Sequence, residues 1–295
     1  MQTDVLSTRQ VAQLLGVGEA TVKRWADAGE IDCFRTPGGH RKFRLRDVTS
    51  FVQKRQYQAA GPMPSNLADA EPGPAAIAQL QKTALAGDID SCVAQLAALR
   101  LRGSTLDTLF DEVVSPALFA IGERWAKGEI SVAEEHIASQ TVIDAIARAQ
   151  PLAEPPGEPV RPDRGVAVIA AVAGDQHDIG ARMAGCLLRA RGFEVLAPLA
   201  QTPARDLAEL MQRARAALTI ITCTVPGDLA AVAEQVELCA SAVRHTGGRV
   251  LVGGPGMRRV KLPPDVKLIS NMRELVAESE TAGRKRSGAR TAARS

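Results

Sequence analysis

Two proline-rich stretches decide what this chain can fold into. Gly61-Pro-Met-Pro-Ser-Asn with Glu71-Pro-Gly-Pro, and Pro151-Leu-Ala-Glu-Pro-Pro-Gly-Glu-Pro with Pro162, fix φ and remove backbone donors, so neither continues a helix or a central strand. They separate blocks at residues 1–57, 75–150 and 165–280, joined by linkers at 58–74 and 151–164 and followed by a tail at 281–295. At 295 residues, each block is long enough to bury a core of its own. Apolar residues make up 45% and aromatics only 3%, so those cores are built from Ala, Leu and Val, a composition that favours helices.

Several classes are disfavoured at once. The longest apolar run, Val166 to Ala173, is far short of the roughly 20 residues a membrane helix needs, and no apolar region follows a basic start. A cytoplasmic chain with no membrane partner is the expectation. The five cysteines, Cys33, Cys92, Cys186, Cys223 and Cys239, lie far apart with no C-x-x-C pair, which argues against a zinc ribbon and a disulfide framework. The net charge of +3 is unevenly placed: residues 1–60 carry +4 and residues 281–295 carry +5, leaving an acidic middle. Positive potential at the two ends suits a polyanionic partner.

Each block has its own periodicity. In the first, Ser7 caps Thr8 to Leu15, and a second helix at about Glu19 to Ala28 ends at Gly29. Cys33 to Thr36 and His40 to Phe43 flank Pro37-Gly38-Gly39, so a helix-turn-helix is followed by a hairpin, the wing. The second block has helical spacing at Ile77–Ala86, Asp88–Arg100, Thr105–Ala126 and Val132–Ala149, with Ser131 and Glu134 as a capping box, and implies an antiparallel four-helix bundle. The third alternates β runs at Val166–Val172, Glu194–Ala197, Leu218–Thr222, Val250–Val252 and Val266–Ile269 with helical segments, the pattern of a doubly wound, flavodoxin-like parallel sheet.

Thr21, Lys23 and Arg24 fall on the second helix of the pair, which in this motif enters the major groove. Arg35, His40, Arg41 and Lys42 crowd the hairpin, where a Gly-Gly turn lets backbone approach phosphates and cations release counterions. A small helical interaction domain with a solvated basic loop would share these features singly. Helix pair, hairpin and cations together favour double-stranded DNA. Leu6-Ser-Thr-Arg-Gln-Val-Ala-Gln-Leu-Leu-Gly-Val and Thr36-Pro-Gly-Gly-His-Arg-Lys-Phe-Arg-Leu-Arg-Asp-Val also resemble the MerR-type and excisionase-type winged helices. That resemblance implies a homo-oligomer, dimer or tetramer, on an inverted-repeat operator.

His177 lies in the loop after the first β run of the third block, at the carboxyl end of the sheet where doubly wound folds bind ligands. A neutral imidazole there can ligate a metal, with Asp175 taking its other N–H, and Gly180 lets a bulky ligand lie against backbone. Alone, Asp-x-His-x-x-Gly also fits a polar turn, and Gly253-Gly254 also fits a tight turn. The spacing adds information: 41 residues separate Gly180 from Thr222-Cys-Thr224, and 28 more precede Gly253-Gly254. This three-part pattern resembles the cobalamin-binding domains of methionine synthase and its relatives. The resemblance implies His177 as lower cobalt ligand, Asp175 behind it, and a nucleotide tail received between Gly180, Thr222, Thr224 and Gly253-Gly254.

Trp125 ends one bundle helix and Glu135-His136 open the next, nine residues on. A core-plugging Trp beside a solvated first turn is the plain alternative. In order of domains and in W-x9-E-H the chain resembles the light-responsive repressors of the CarH/CarA group. That resemblance implies that Trp125, Glu135 and His136 cover the upper face of adenosylcobalamin or methylcobalamin, and that light changes the oligomer that holds DNA. Ala126 stands where those relatives commonly carry His after the Trp, which admits a different upper-face chemistry, another or additional tetrapyrrole included. The rival class is a corrinoid methyl-transfer module; a winged helix in place of a methyl-transfer partner favours regulation over enzyme activity.

Overall fold

The computed structural model describes residues 5–15, 17–44, 47–48, 50–51, 71–150 and 160–282. Most of both expected linkers and residues 283–295 of the expected basic tail lie outside them. The chain forms two units, Met1–Pro159 and Val160–Ser295.

The first unit opens with β1 (Val5–Ser7), α1 (Thr8–Leu15), α2 (Glu19–Asp27), β2 (Phe34–Arg35) and β3 (Arg41–Arg44). Ser7 caps α1 as expected: its Oγ accepts from Gln10 N at 3.3 Å, while Gln10 Oε1 accepts from Ser7 N at 2.8 Å. The reciprocal pair satisfies donors that helix geometry leaves open. β1 was not legible as a strand in the sequence. It pairs antiparallel with β3, Leu6 opposite Phe43, and β3 pairs with β2 on its other edge, giving the order β1-β3-β2. Val11, Leu15, Val22, Trp25, Ile31, Phe43, Val48 and Phe51 are buried, with the Trp25 and Phe51 rings 4.9 Å apart. The wing turn closes through Gly39 N to Thr36 O at 2.8 Å and Thr36 N to His40 O at 3.0 Å, and Gly39 has φ +79°. A side chain there would be strained.

The same unit contains α3 (Pro74–Leu85), α4 (Ile89–Leu101), α5 (Leu106–Leu109), a π-helical turn (Phe110–Val114), α6 (Ser115–Ala126) and α7 (Val132–Ala149). Periodicity predicts one helix over 105–126; the structure wraps it by π geometry in the middle, Ser115 N donating to Phe110 O. Pro116 supplies the reason. It has no N–H and its ring collides with the carbonyl four residues back, so an added residue per turn is the cheapest way to keep one rod. Ser131 Oγ accepts from Glu134 N at 3.3 Å and Glu134 Oε2 from Ser131 N at 2.7 Å, so the predicted capping box starts α7. Leu80, Leu96, Leu99, Phe110, Ile121, Val142 and Ile146 fill the bundle core.

The second unit consists of β4 (Val166–Ala171), α8 (Ile179–Ala190), β5 (Glu194–Leu199), α9 (Ala204–Arg213), β6 (Leu218–Thr222), α10 (Leu229–Arg244), β7 (Arg249–Gly253), a 3-10 turn (Pro255–Arg259), β8 (Val266–Ile269) and α11 (Met272–Ala282). All strands are parallel, in the order β5-β4-β6-β7-β8. This is the doubly wound order whose first strand lies beside its third, so the crevice between the loops after β4 and β6 is a topological switch point. Ala171 pairs with Thr222 and Thr222 with Gly253, which sets all three in one row at the carboxyl end. Among the described residues no helix is long and apolar enough to cross a membrane.

Candidate functional site

The turn after β4 delivers the motif. Asp175 N donates to Val172 O at 3.1 Å, with Gly174 at φ +88°, and the chain then runs through Asp175 and His177 into α8. Asp175 is 2% exposed and its carboxylate is surrounded by donors. Its Oδ1 takes His177 N at 3.0 Å and faces His177 Nδ1 at 2.7 Å. Its Oδ2 accepts from Thr224 N and, at 3.3 Å, from Val225 N. One carboxylate therefore ties the loop after β4 to the loop after β6. With Nδ1–H given to Asp175, the ring nitrogen left to ligate is Nε2, on a side chain 59% exposed. The polar-turn alternative does not require a buried carboxylate held by four nitrogen groups from two loops.

Thr222 lies in the same row as the loop. It is buried, and its Oγ1 has no hydrogen-bond partner among the described residues. An orphan buried hydroxyl costs of order 1–3 kcal/mol, so it fits a position kept for an incoming polar group. The glycines of the motif divide by cause. A Cβ on Gly180, in the first turn of α8, would meet nothing within 4 Å. The chain does not need a glycine there for its own packing. Gly254 differs: its φ is +96°, and a Cβ would sit 2.3 Å from Cys223 O. Gly253 is tight against Ile269, at 3.3 Å. The fold itself demands Gly254 and crowds Gly253, so that pair alone carries no ligand argument, whereas Gly180 does.

Thr224 contributes its backbone N–H to Asp175, a role its side-chain identity does not reveal. Beside it, Val225, whose N–H also reaches Asp175, is a large apolar residue left 60% exposed and was not anticipated. Behind the site, burial first and the Asp175 charge second push the Cys223 thiol up to about 11, and burial pushes Cys239 to about 12. Both are protonated core residues, and Cys92 and Cys186 are buried too, whereas Cys33 is exposed, against the expectation that all five cysteines are small core residues.

On the bundle, Trp125 is 49% exposed, which removes the core-plug alternative. Glu135 accepts from Ser139 Oγ at 2.6 Å, and its other oxygen lies 3.8 Å from His136 Nε2 on an exposed ring. Phe119 and Val132 are also exposed, and a Cβ on Gly122 would meet open space, so the Trp125 end of the bundle carries an apolar, unfilled strip that single-residue reading missed. Its signal was present in the sequence: 119, 122 and 126 repeat at helical spacing on the side away from buried Ala117 and Ile121. Ala126 is exposed at the end of that strip.

On the winged helix, Lys23, Arg24, Arg35 and His40 are exposed and Thr21 is half-buried on α2. Arg41 is not free: its guanidinium is bonded to Asp27 Oδ1 at the end of α2, and Arg35 lies 4.0 Å from the same oxygen. Arg41 thus ties the wing to the second helix in addition to adding charge. Lys42 pairs with Phe34 and Ser7 within the sheet and is half-buried.

A helix-turn-helix domain family matches residues 5–56, and a B12 binding domain family matches residues 76–150, a range that includes Trp125, Glu135 and His136. The fold of the monomethylamine corrinoid protein of Methanosarcina barkeri is similar with a TM-score of 0.54 at 17% identity, covering 70% of this chain and 98% of that one. These matches give the chain a helix-turn-helix domain followed by a B12 binding domain. The chain is similar to the HTH-type transcriptional repressor CarH of Myxococcus xanthus, 28% identical over 229 residues, 66% of this chain and 71% of the repressor. It is also similar to the transcriptional repressor DcmR of Methylorubrum extorquens, 34% identical over 87 residues, 29% of this chain and 31% of that protein.

Proposed function

We propose that this chain is a cytoplasmic, light-responsive transcriptional regulator in which cobalamin, as the adenosyl or methyl form, sets the oligomeric state and with it the grip on a double-stranded, inverted-repeat operator. The observation that carries the reading is Asp175: buried, holding His177 Nδ1 and both loops of the switch point, it presents Nε2 as a ready metal donor beside an open Gly180 and an orphan Thr222 hydroxyl. When bound, the cofactor would supply a cobalt centre and a light-labile cobalt–carbon bond. His177 would ligate the cobalt through Nε2, with Asp175 fixing its tautomer. Gly180, Thr222, Thr224 and Gly253-Gly254 would receive the nucleotide tail, and Trp125, Glu135 and His136 would cover the upper face. Thr21, Lys23, Arg24, Arg35, His40, Arg41 and Lys42 would engage DNA, the cations giving affinity and salt dependence. A cofactor that favours one of two assemblies is enough for a switch.

Ala126 favours a second reading within the same class: cofactor sensing without a second imidazole on cobalt, or with another tetrapyrrole on the open strip beside Gly122. A corrinoid methyl-transfer role, the enzyme alternative, is less well supported, because the winged helix gives the chain an output of its own. The test is purified protein mixed with adenosylcobalamin, its absorption spectrum and size-exclusion profile recorded in darkness and after green light. Retained corrinoid and a light-dependent change of elution volume are expected; protein that elutes free of corrinoid defeats the reading. His177→Ala should move the bound spectrum to a form without an axial nitrogen, and an unchanged spectrum would assign the ligand elsewhere.

A further inference from the structure

The turn that aims Asp175 has a support outside the motif. Ala173 and Gly174 are its central residues, and the Ala173 N–H is free of the Val172–Asp175 turn bond. It donates to Gln235 Oε1 at 3.0 Å. Gln235 belongs to α10, is 6% exposed, and shares its helix with the buried Val232, Val236 and Cys239 of the sheet core. Its Nε2 is buried and has no partner among the described residues. A lone amide donor in apolar surroundings costs of order 1–3 kcal/mol, so for stability alone an apolar side chain of the same length would serve better. What Gln235 offers in exchange is a single acceptor, and the group it holds is the backbone two residues ahead of Asp175 and four ahead of His177.

We infer that Gln235 is a positioning residue for His177: it fixes the turn after β4 so that the imidazole is presented for axial ligation. This rests on the cobalamin reading given above, but has a consequence that does not. In the cofactor-free full-length protein, Gln235→Met removes the acceptor at nearly constant volume and should raise amide hydrogen exchange across residues 173–177 by about five- to tenfold, the worth of one hydrogen bond, with the global unfolding midpoint unchanged or higher. Exchange equal to wild type in that segment overturns the inference whether or not corrinoid binds. With cob(II)alamin bound, the Met variant should lose axial nitrogen splitting in the electron paramagnetic resonance spectrum while still retaining corrinoid. Gln235→Glu, which keeps an acceptor at the same place, should restore both the splitting and the protection. A Met variant with full axial nitrogen splitting overturns the inference. Wild type whose spectrum is the same as that of His177→Ala instead defeats the ligand assignment, and exchange at 173–177 still decides whether Gln235 holds the turn.

Discussion

Gly180 and Gly254 look alike in the motif and are glycines for opposite reasons. At Gly254 the backbone of Cys223 excludes any side chain, whereas at Gly180 the space is open. Gly180→Leu is therefore expected to leave the cofactor-free protein folded, with a melting temperature equal to or above wild type because a helix position gains up to about 1 kcal/mol over Gly. The same change should abolish corrinoid retention on a desalting column, and retained corrinoid would show that the tail does not pass this residue. Thr222→Val makes a related separation. Replacing the orphan hydroxyl by a methyl should stabilise the cofactor-free chain by about 1 kcal/mol in urea unfolding, while weakening cofactor affinity in titration. At this scale the sequence was informative where partners are close along the chain: Asp175 and His177 are two residues apart. Thr224 N and Val225 N reach Asp175 from 49 and 50 residues away, and Gln235 reaches Ala173 from 62. Such contacts are set by the strand order, which no local pattern encodes.

The elements were legible because their signals are local. Ser131 with Glu134 marks the start of α7, and the five β runs of the last block became five strands within one or two residues at each end. The misses have physical causes as well. β1 is three residues long and exists because β3 offers an edge, and the π turn follows from Pro116 inside a helix that packing holds together. One element carries a pH dependence. Glu278 on α11 binds Lys267 Nζ and Arg249 Nη2, both at 2.5 Å, and these cations hold its carboxyl below the ordinary value of 4.5. A carboxylate lowered in the folded state stabilises fully above its unfolded value and loses that contribution as pH falls through its folded value. The second unit should therefore lose stability progressively below about pH 4.5, and Glu278→Gln should be less stable at neutral pH yet show a shallower loss there. Urea unfolding from pH 3 to 7 checks this, and identical pH profiles for the two proteins would assign the acid sensitivity to other carboxylates.

For the whole molecule, the proline-rich stretches and the change of period from block to block were enough to anticipate a winged helix, a bundle and a parallel sheet, since each architecture imposes its own repeat on the apolar residues. How the pieces act on one another is not written in any repeat, and there thermodynamics supplies the argument. If cofactor binding changes operator affinity by some factor, operator binding must change cofactor affinity by the same factor, because both are sides of one cycle. Coupling of 1–3 kcal/mol, common for such switches, corresponds to about 5- to 150-fold. The expected outcome is that adenosylcobalamin, titrated in the dark into full-length protein with and without saturating operator, shows dissociation constants differing by the factor seen when operator is titrated with and without cofactor. His177→Ala should shrink both factors together. A fixed factor is demanded in either direction, so a large effect of cofactor on DNA binding with no effect of DNA on cofactor binding would mean that a further species, such as a change in subunit number, has to be added to the cycle. Repeating the titrations over a range of protein concentrations then separates the cases, since a coupled assembly makes both factors concentration-dependent and a coupling within one chain leaves them constant.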